Sequence, residues 1–241
     1  MSFVRKLFAR QSGGNAAGNM RYAAAPNASG GRMTDFSDMI KGYGRFREQG
    51  WVEQRERWQE LSKGQSPKVM VIACSDSRVD PMQIFDVAPG EIFVVRNVAN
   101  LVPPYETTKG HHGVSAAIEF AVTQLEVPEV LVLGHASCGG CAAALSGGFQ
   151  HADHGAGGFI ADWVGLLDDA RDRVKKKFGD SPDAKREMEH EAVRVSIANL
   201  RTFPFIARRE AAGTLKLRGA YFAIADGLLH VMGDDGEFAL A

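Results

Sequence analysis

Three short apolar runs govern the architecture open to this chain. Lys68-Val-Met-Val-Ile-Ala-Cys74, Glu91-Ile-Phe-Val-Val95 and Glu129-Val-Leu-Val-Leu-Gly134 lack the alternation of a half-exposed strand. Brief runs that are apolar throughout fit strands buried on both faces. Around them the period becomes helical. Residues 113–125 put Ile118, Ala121, Val122 and Leu125 on one face, and a further helix is expected over 138–145. Strands separated by helices imply a mainly parallel sheet. Near the end, residues 217–224 and 228–232 flank Asp226-Gly227, a good hairpin turn. The expectation is an α/β fold whose mainly parallel central sheet has about four parallel strands plus an antiparallel edge strand, flanked by helices.

The remaining helices are read from spacing and caps. Phe36, Met39, Ile40, Tyr43 and Phe46 recur at helical intervals, and 51–61 continue as a second helix after Gly50, together forming an N-terminal helical arm. Ile160, Trp163, Val164, Leu167, Val174 and Phe178 mark one longer helix. Another starts at Ser181-Pro182, a cap followed by proline in the first turn. No repeat or linker divides residues 35–241, so one domain is expected there. Residues 1–34 differ: they carry Arg5, Lys6, Arg10, Arg21 and Arg32, no acidic residue, and a Gly/Ala/Asn/Ser-rich stretch. That composition fits a disordered basic tail. The alternative is an organelle-targeting segment, with Phe3, Val4, Leu7 and Phe8 as an apolar helical face.

Composition excludes several classes of function. The formal net charge is −1, which gives no electrostatic footprint for nucleic acid or an anionic membrane. No apolar run approaches the roughly 18 residues that span a bilayer. The three cysteines, Cys74, Cys138 and Cys141, are an odd number in a long chain. They argue against a disulfide framework and for a reducing, cytoplasmic setting with metal-binding or catalytic thiols.

Two stretches each follow an expected buried strand: Cys74-Ser-Asp-Ser-Arg78 and His135-Ala-Ser-Cys-Gly-Gly140. In open parallel sheets, ligand sites gather beyond the carboxyl ends of strands where the topology reverses. If the strands ending at Cys74 and His135 are neighbours, those side chains meet in one crevice, and Cys138 reaches it from the next turn. Two cysteines and a histidine suit zinc and leave a fourth position for water. Taken singly, a buried cysteine is ordinary packing and a buried histidine an ordinary core residue. The combination, with Asp76 and Arg78 alongside, is harder to assign to packing, because charges in a crevice are costly unless paired or used.

Cys74-x-Asp-Ser-Arg78 with His135-x-x-Cys-Gly139 resembles the signature of the β-class carbonic anhydrases, plant-like subtype. The resemblance runs from about Phe36 to the C-terminus and includes Gly90-Glu-Ile-Phe-Val-Val-Arg-Asn-Val-Ala-Asn100 and Ser196-Ile-Ala-Asn-Leu-Arg-Thr-Phe-Pro-Phe205. It implies a Zn2+ enzyme that interconverts carbon dioxide and bicarbonate, as a homodimer or tetramer. By the same resemblance Cys74, His135 and Cys138 hold the metal. Asp76 and Arg78 form a catalytic pair, with Asp76 a possible fourth ligand in a closed state. Gln65, Phe93, Phe120 and Gly139 fall on substrate-binding positions. Without the family, Phe93 and Phe120 would read as core residues and Gln65 as surface.

This chain departs from the pattern in three places. Phe120 stands where plant-like members have a pocket tyrosine, Gln124 where they carry a candidate proton-shuttle histidine, and Val71 where allosteric members have a tryptophan. Two other functions compete. Cys138-Gly-Gly-Cys141 is a C-x-x-C pair, the mark of a thiol–disulfide oxidoreductase. A silent relative with Asp76 closing a purely structural zinc site is the second.

Overall fold

The apolar runs become the centre of the molecule. The computed structural model describes residues 34–241, so the tail expected over 1–34 lies, apart from Thr34, outside the described residues. Strands β1 (Val69–Cys74), β2 (Ile92–Asn97), β3 (Glu129–His135) and β4 (Lys216–Ala223) are parallel. β5 (Leu228–Met232) and β6 (Phe238–Leu240) complete the sheet in antiparallel sense. The spatial order is β2-β1-β3-β4-β5-β6. The α/β class and the 226–227 hairpin are as expected. The edge, however, is β6, a three-residue strand too short to leave a periodic signal in the sequence.

The order places β2 on one side of β1 and β3 on the other, so the topology reverses between β1 and β3. Cys74 pairs with Asn97, and Ala73 with Leu133, so the carboxyl ends of the first three strands lie side by side.

The helices follow their caps more closely than their periodicity. α1 (Phe36–Arg45) opens on a capping box between Asp35 and Asp38. Gly50 does not end the arm. A wide π turn at Phe46–Gly50 carries it into α2 (Trp51–Glu53), and the break falls at Gln54, before α3 (Arg55–Leu61). α4 (Pro81–Ile84) is capped by Asp80, which accepts from the Met82 and Gln83 amides. α5 (Gly113–Glu119) widens into a π turn at Phe120–Gln124. α6 (Gly139–Ser146) starts beside Cys138. The helix expected through 160–178 is two, α7 (Gly158–Val164) and α8 (Asp168–Phe178), separated by a tight turn at Gly165–Leu167. α9 (Pro182–Leu200) begins at the predicted Ser181 cap, and α10 (Pro204–Ala211) follows, a helix not anticipated from the sequence.

Alternation along β1 and β3 divides the core. Met70, Ile72, Val130 and Val132 pack with Val193, Ile197 and Leu200 of α9. Val71, Ala73 and Leu133 face the other way, against Ile84 and Phe85. Among the described residues, no helix is long and apolar enough to cross a membrane.

α9 can lie this close to the sheet because two positions lack a Cβ. One built on Gly134 would stand 2.7 Å from Val193 Cγ2, and one on Gly219 3.0 Å from Val193 Cγ1. Gly134 immediately precedes His135, so the same close approach sets the depth of a site residue. Gly134→Ala is expected to destabilise the protein by about 1–3 kcal/mol through overpacking. Urea unfolding measures this, and an unchanged midpoint would mean that α9 yields without cost.

Candidate metal centre

The donors come from two loops that the β1–β3 pairing brings together. Cys74 is the last residue of β1, His135 the last of β3, and Cys138 the cap residue of α6. All three are buried, and their donor atoms lie within 4.8 Å of one another. Cys74 Sγ stands 3.9 Å from Cys138 Sγ. His135 Nδ1 lies 2.9 Å from the Ala136 carbonyl oxygen, which can only accept, so Nδ1 carries the proton. In the neutral ring the lone pair is then on Nε2, a buried atom without a hydrogen-bond partner. A second-nitrogen bond to a carbonyl is how metal-ligating histidines are commonly oriented.

The donor set fits a soft dication. Its hydrogen bond with Cys138, and then burial, push the Cys74 thiol up to about 12. Cys138 is raised as well, first by Cys141. Thiols pressed together away from water keep their protons, and a bound cation is what draws them off.

Asp76 does not join this cluster. Arg78 Nε donates to its Oδ1 at 2.9 Å and Nη2 to its Oδ2 at 2.6 Å, a bidentate pair, and the Arg78 amide adds a third bond at 3.0 Å. The Arg78 hydrogen bonds hold the Asp76 carboxyl down to about 2 against some opposing burial. Arg78 Nη2 also donates to the Ser137 carbonyl at 3.0 Å, tying the loop after β1 to the loop after β3.

Two residues that sequence reasoning passed over shape these loops. Arg96 of β2 donates to the carbonyls of Cys74 (2.8 Å), Asp76 (2.6 Å) and Val79 (3.1 Å), and pairs with Asp80. A charge ending an apolar strand was its available signal. Glu189 of α9 accepts from the Cys138 amide at 3.1 Å and the Tyr221 hydroxyl at 2.9 Å. Nothing in its helical neighbours distinguishes it. Gly140 admits the 98–100 turn against α6, since a Cβ there would meet Ala99 Cβ at 2.8 Å.

The four substrate-binding candidates do not assemble in one place. Gly139 opens α6 beside Cys138. Phe93 and Phe120 pack together with ring centres 5.9 Å apart. Phe93 pairs with Met70, four residues below Cys74, or roughly 13 Å along the strand at 3.3 Å per residue. Phe120 is 45% exposed, and Gln65 is exposed in the loop before β1.

Comparisons with known proteins bear on what this arrangement is. A protein-family model described as carbonic anhydrase matches residues 69–229. The Arabidopsis thaliana protein named beta carbonic anhydrase 3 is 38% identical over 199 residues, covering 80% of this chain and 75% of the relative. The solved structure of the β-carbonic anhydrase CcaA superimposes with a TM-score of 0.79 at 31% identity, over 85% of this chain and 98% of that one. A Coccomyxa β-carbonic anhydrase, solved in complex with acetazolamide, gives 0.70 at 27% identity, over 86% and 94% of the two chains. One of two β-carbonic anhydrases from Sordaria macrospora, described as tetrameric, gives 0.70 at 26%, over 82% and 96%. With a family match that runs unbroken from the first residue of β1 into β5, across both donor loops, this chain belongs to the β-class carbonic anhydrases, enzymes of carbon dioxide hydration.

Proposed function

We propose that the protein binds zinc through Cys74, His135 and Cys138 and uses it for the reversible hydration of carbon dioxide to bicarbonate and a proton. The observation that carries the reading is the buried, partnerless Nε2 of His135 within 4.8 Å of two cysteine sulfurs. Zinc held by these donors supplies a Lewis acid that brings the deprotonation of water down to about pH 7.

The residues around it have distinct tasks. Asp76, ionised and fixed in orientation by Arg78, accepts a hydrogen bond from the attacking water and so aims its lone pair at the substrate carbon. Arg78 keeps the carboxylate turned away from the donors, leaving room for water and carbon dioxide. The Gly139 amide, at the start of α6, is free of side-chain bulk where product oxygens would lie. The bidentate pair supports this open arrangement over a closed one with Asp76 as ligand. Against the oxidoreductase reading stands the position of Cys138, 3.9 Å from Cys74 and so facing a donor set that a C-x-x-C mechanism does not use. An odd set of cysteines fits a reducing compartment such as the cytoplasm.

Phe93, Phe120 and Gln65 are proposed to complete the pocket of a neighbouring subunit in a homodimer or a tetramer built from it. Support comes from the arm, where Phe36, Met39, Ile40 and Tyr43 of α1 are each more than half exposed on the single chain. A continuous apolar face of that kind marks an interaction surface. The pairing would be isologous.

Three outcomes test the proposal. Purified protein should carry one zinc per chain, and Cys74→Ser or His135→Ala should lose metal and carbon dioxide hydration together. Full activity after verified zinc removal would sink the assignment. Asp76→Asn should retain zinc yet lose activity by roughly 100-fold or more, and Arg78→Ala should lower activity with zinc retained. Release of metal by the Asn variant would make Asp76 a ligand instead.

Activity should rise between pH 6.5 and 8.5 at constant zinc content. Asp76, depressed from 3.8 to about 2, is ionised above its unfolded value and loses its pairing only as pH falls through about 2. It therefore contributes no step within this window. A profile that falls with rising pH in stopped-flow hydration assays would contradict the mechanism. Sedimentation at assay concentration should find dimers or tetramers, and a fully active monomer would rule out the shared pocket.

A further inference from the structure

Glu189 is a buried acid that the proposed reaction leaves without a task. It lies near the middle of α9 and is 6% exposed, and Arg186, one turn before it, acts on it through its charge without a hydrogen bond between them. Burial raises its carboxyl above the usual range. Helix packing alone would be better served by an apolar side chain, because an unpaired acid away from water is costly.

Its hydrogen bonds give it a purpose. One oxygen accepts from the Cys138 amide at 3.1 Å. The other oxygen accepts from the Tyr221 hydroxyl at 2.9 Å, which fixes the rotation of the group. Tyr221 is on β4, in register with Gly134, so the anchor is a neighbouring strand. The turn being held needs holding: Ser137 has φ 59°, a left-handed conformation that a residue with a Cβ adopts reluctantly. From the other side, Arg78 grips the Ser137 carbonyl at 3.0 Å. Ala136 is tied through its amide to the Phe222 carbonyl at 2.9 Å. Every residue from Ala136 to Cys138 is thus fastened from outside the turn, and Glu189 supplies the hold on the Cys138 amide.

We infer that Glu189 is a positioning residue for the metal centre, holding the strained Ser137–Cys138 turn so that the Cys138 sulfur faces Cys74 and His135. The inference rests on the zinc reading given above. Glu189 touches neither substrate nor donor sulfur and acts only through the backbone of the turn.

The test compares zinc affinity, by chelator competition, in the full chain and three variants. Glu189→Met keeps the side-chain length without an acceptor and should weaken zinc binding 10–100-fold, as loss of outer partners of metal ligands commonly does. Glu189→Gln keeps an acceptor for the Cys138 amide and should restore affinity to near the parent's. Ser137→Gly removes the steric reason for restraint, so placing it in the Met variant should recover much of the lost affinity. The visible spectrum of the cobalt-loaded protein should shift in the Met variant and return with Gln. A Met variant that binds zinc as tightly as the parent, or a Gln variant as weak as Met, would overturn the assignment. If the Met variant does not fold, amide hydrogen exchange on the unaltered protein decides. The Cys138 amide should be as protected as those of β3, and loop-like exchange there would defeat the idea. A parent protein without zinc affinity would defeat the zinc reading separately, and the exchange measurement would still test the turn.

Discussion

Parallel pairing of β1 with β3 is the contact from which the rest of this molecule follows. Residues 74 and 135 are separated by sixty positions of chain, yet the register that sets Ala73 beside Leu133 brings both strand ends to one rim of the sheet. A shift of one residue would turn each side chain to the opposite face. The register is protected by burial on both sides: Met70, Ile72, Val130 and Val132 are held under α9, and Val71, Ala73 and Leu133 on the reverse. The apolar strands therefore set the placement of the donor residues at their ends.

Beyond the strand ends, geometry is carried by charged groups used as fasteners. Arg96 gathers three carbonyls of the loop after β1, and Arg78 joins that loop to the one after β3. A guanidinium suits this because its donors lie in a rigid plane and its charge persists at any relevant pH. On the zinc reading proposed above, these loops must leave a coordination position open and cannot be held by packing alone, since packing would fill the space. Hydrogen bonds from the periphery hold them without crowding the centre.

The single chain is unevenly finished. Its donor cluster is buried, whereas Phe93 and Phe120 pack together toward the opposite end of β2, Gln65 is exposed before β1, and the apolar side chains Phe36, Met39, Ile40 and Tyr43 of α1 are more than half exposed. On the reading proposed above, one chain supplies the whole donor cluster, and the exposed apolar part is the surface that a second copy would cover.

Local chemistry was legible in the sequence. The apolar runs announced the strands, Ser181-Pro182 announced α9, and Cys74, His135 and Cys138 stood out because each ended or followed such a run. These features depend on neighbours within a few residues, which a sequence displays. The helix through 160–178 was misjudged because apolar spacing does not reveal the tight turn at Gly165–Leu167, and the three residues of β6 were too few to carry a period. Tertiary structure alone decided which side of β1 each strand took, that Asp76 lies on Arg78 and not among the donors, and that Glu189, more than fifty residues away, reaches the Cys138 amide. Those choices arise from the sum of burial and hydrogen bonding across the folded core, where distance along the chain no longer limits which groups meet.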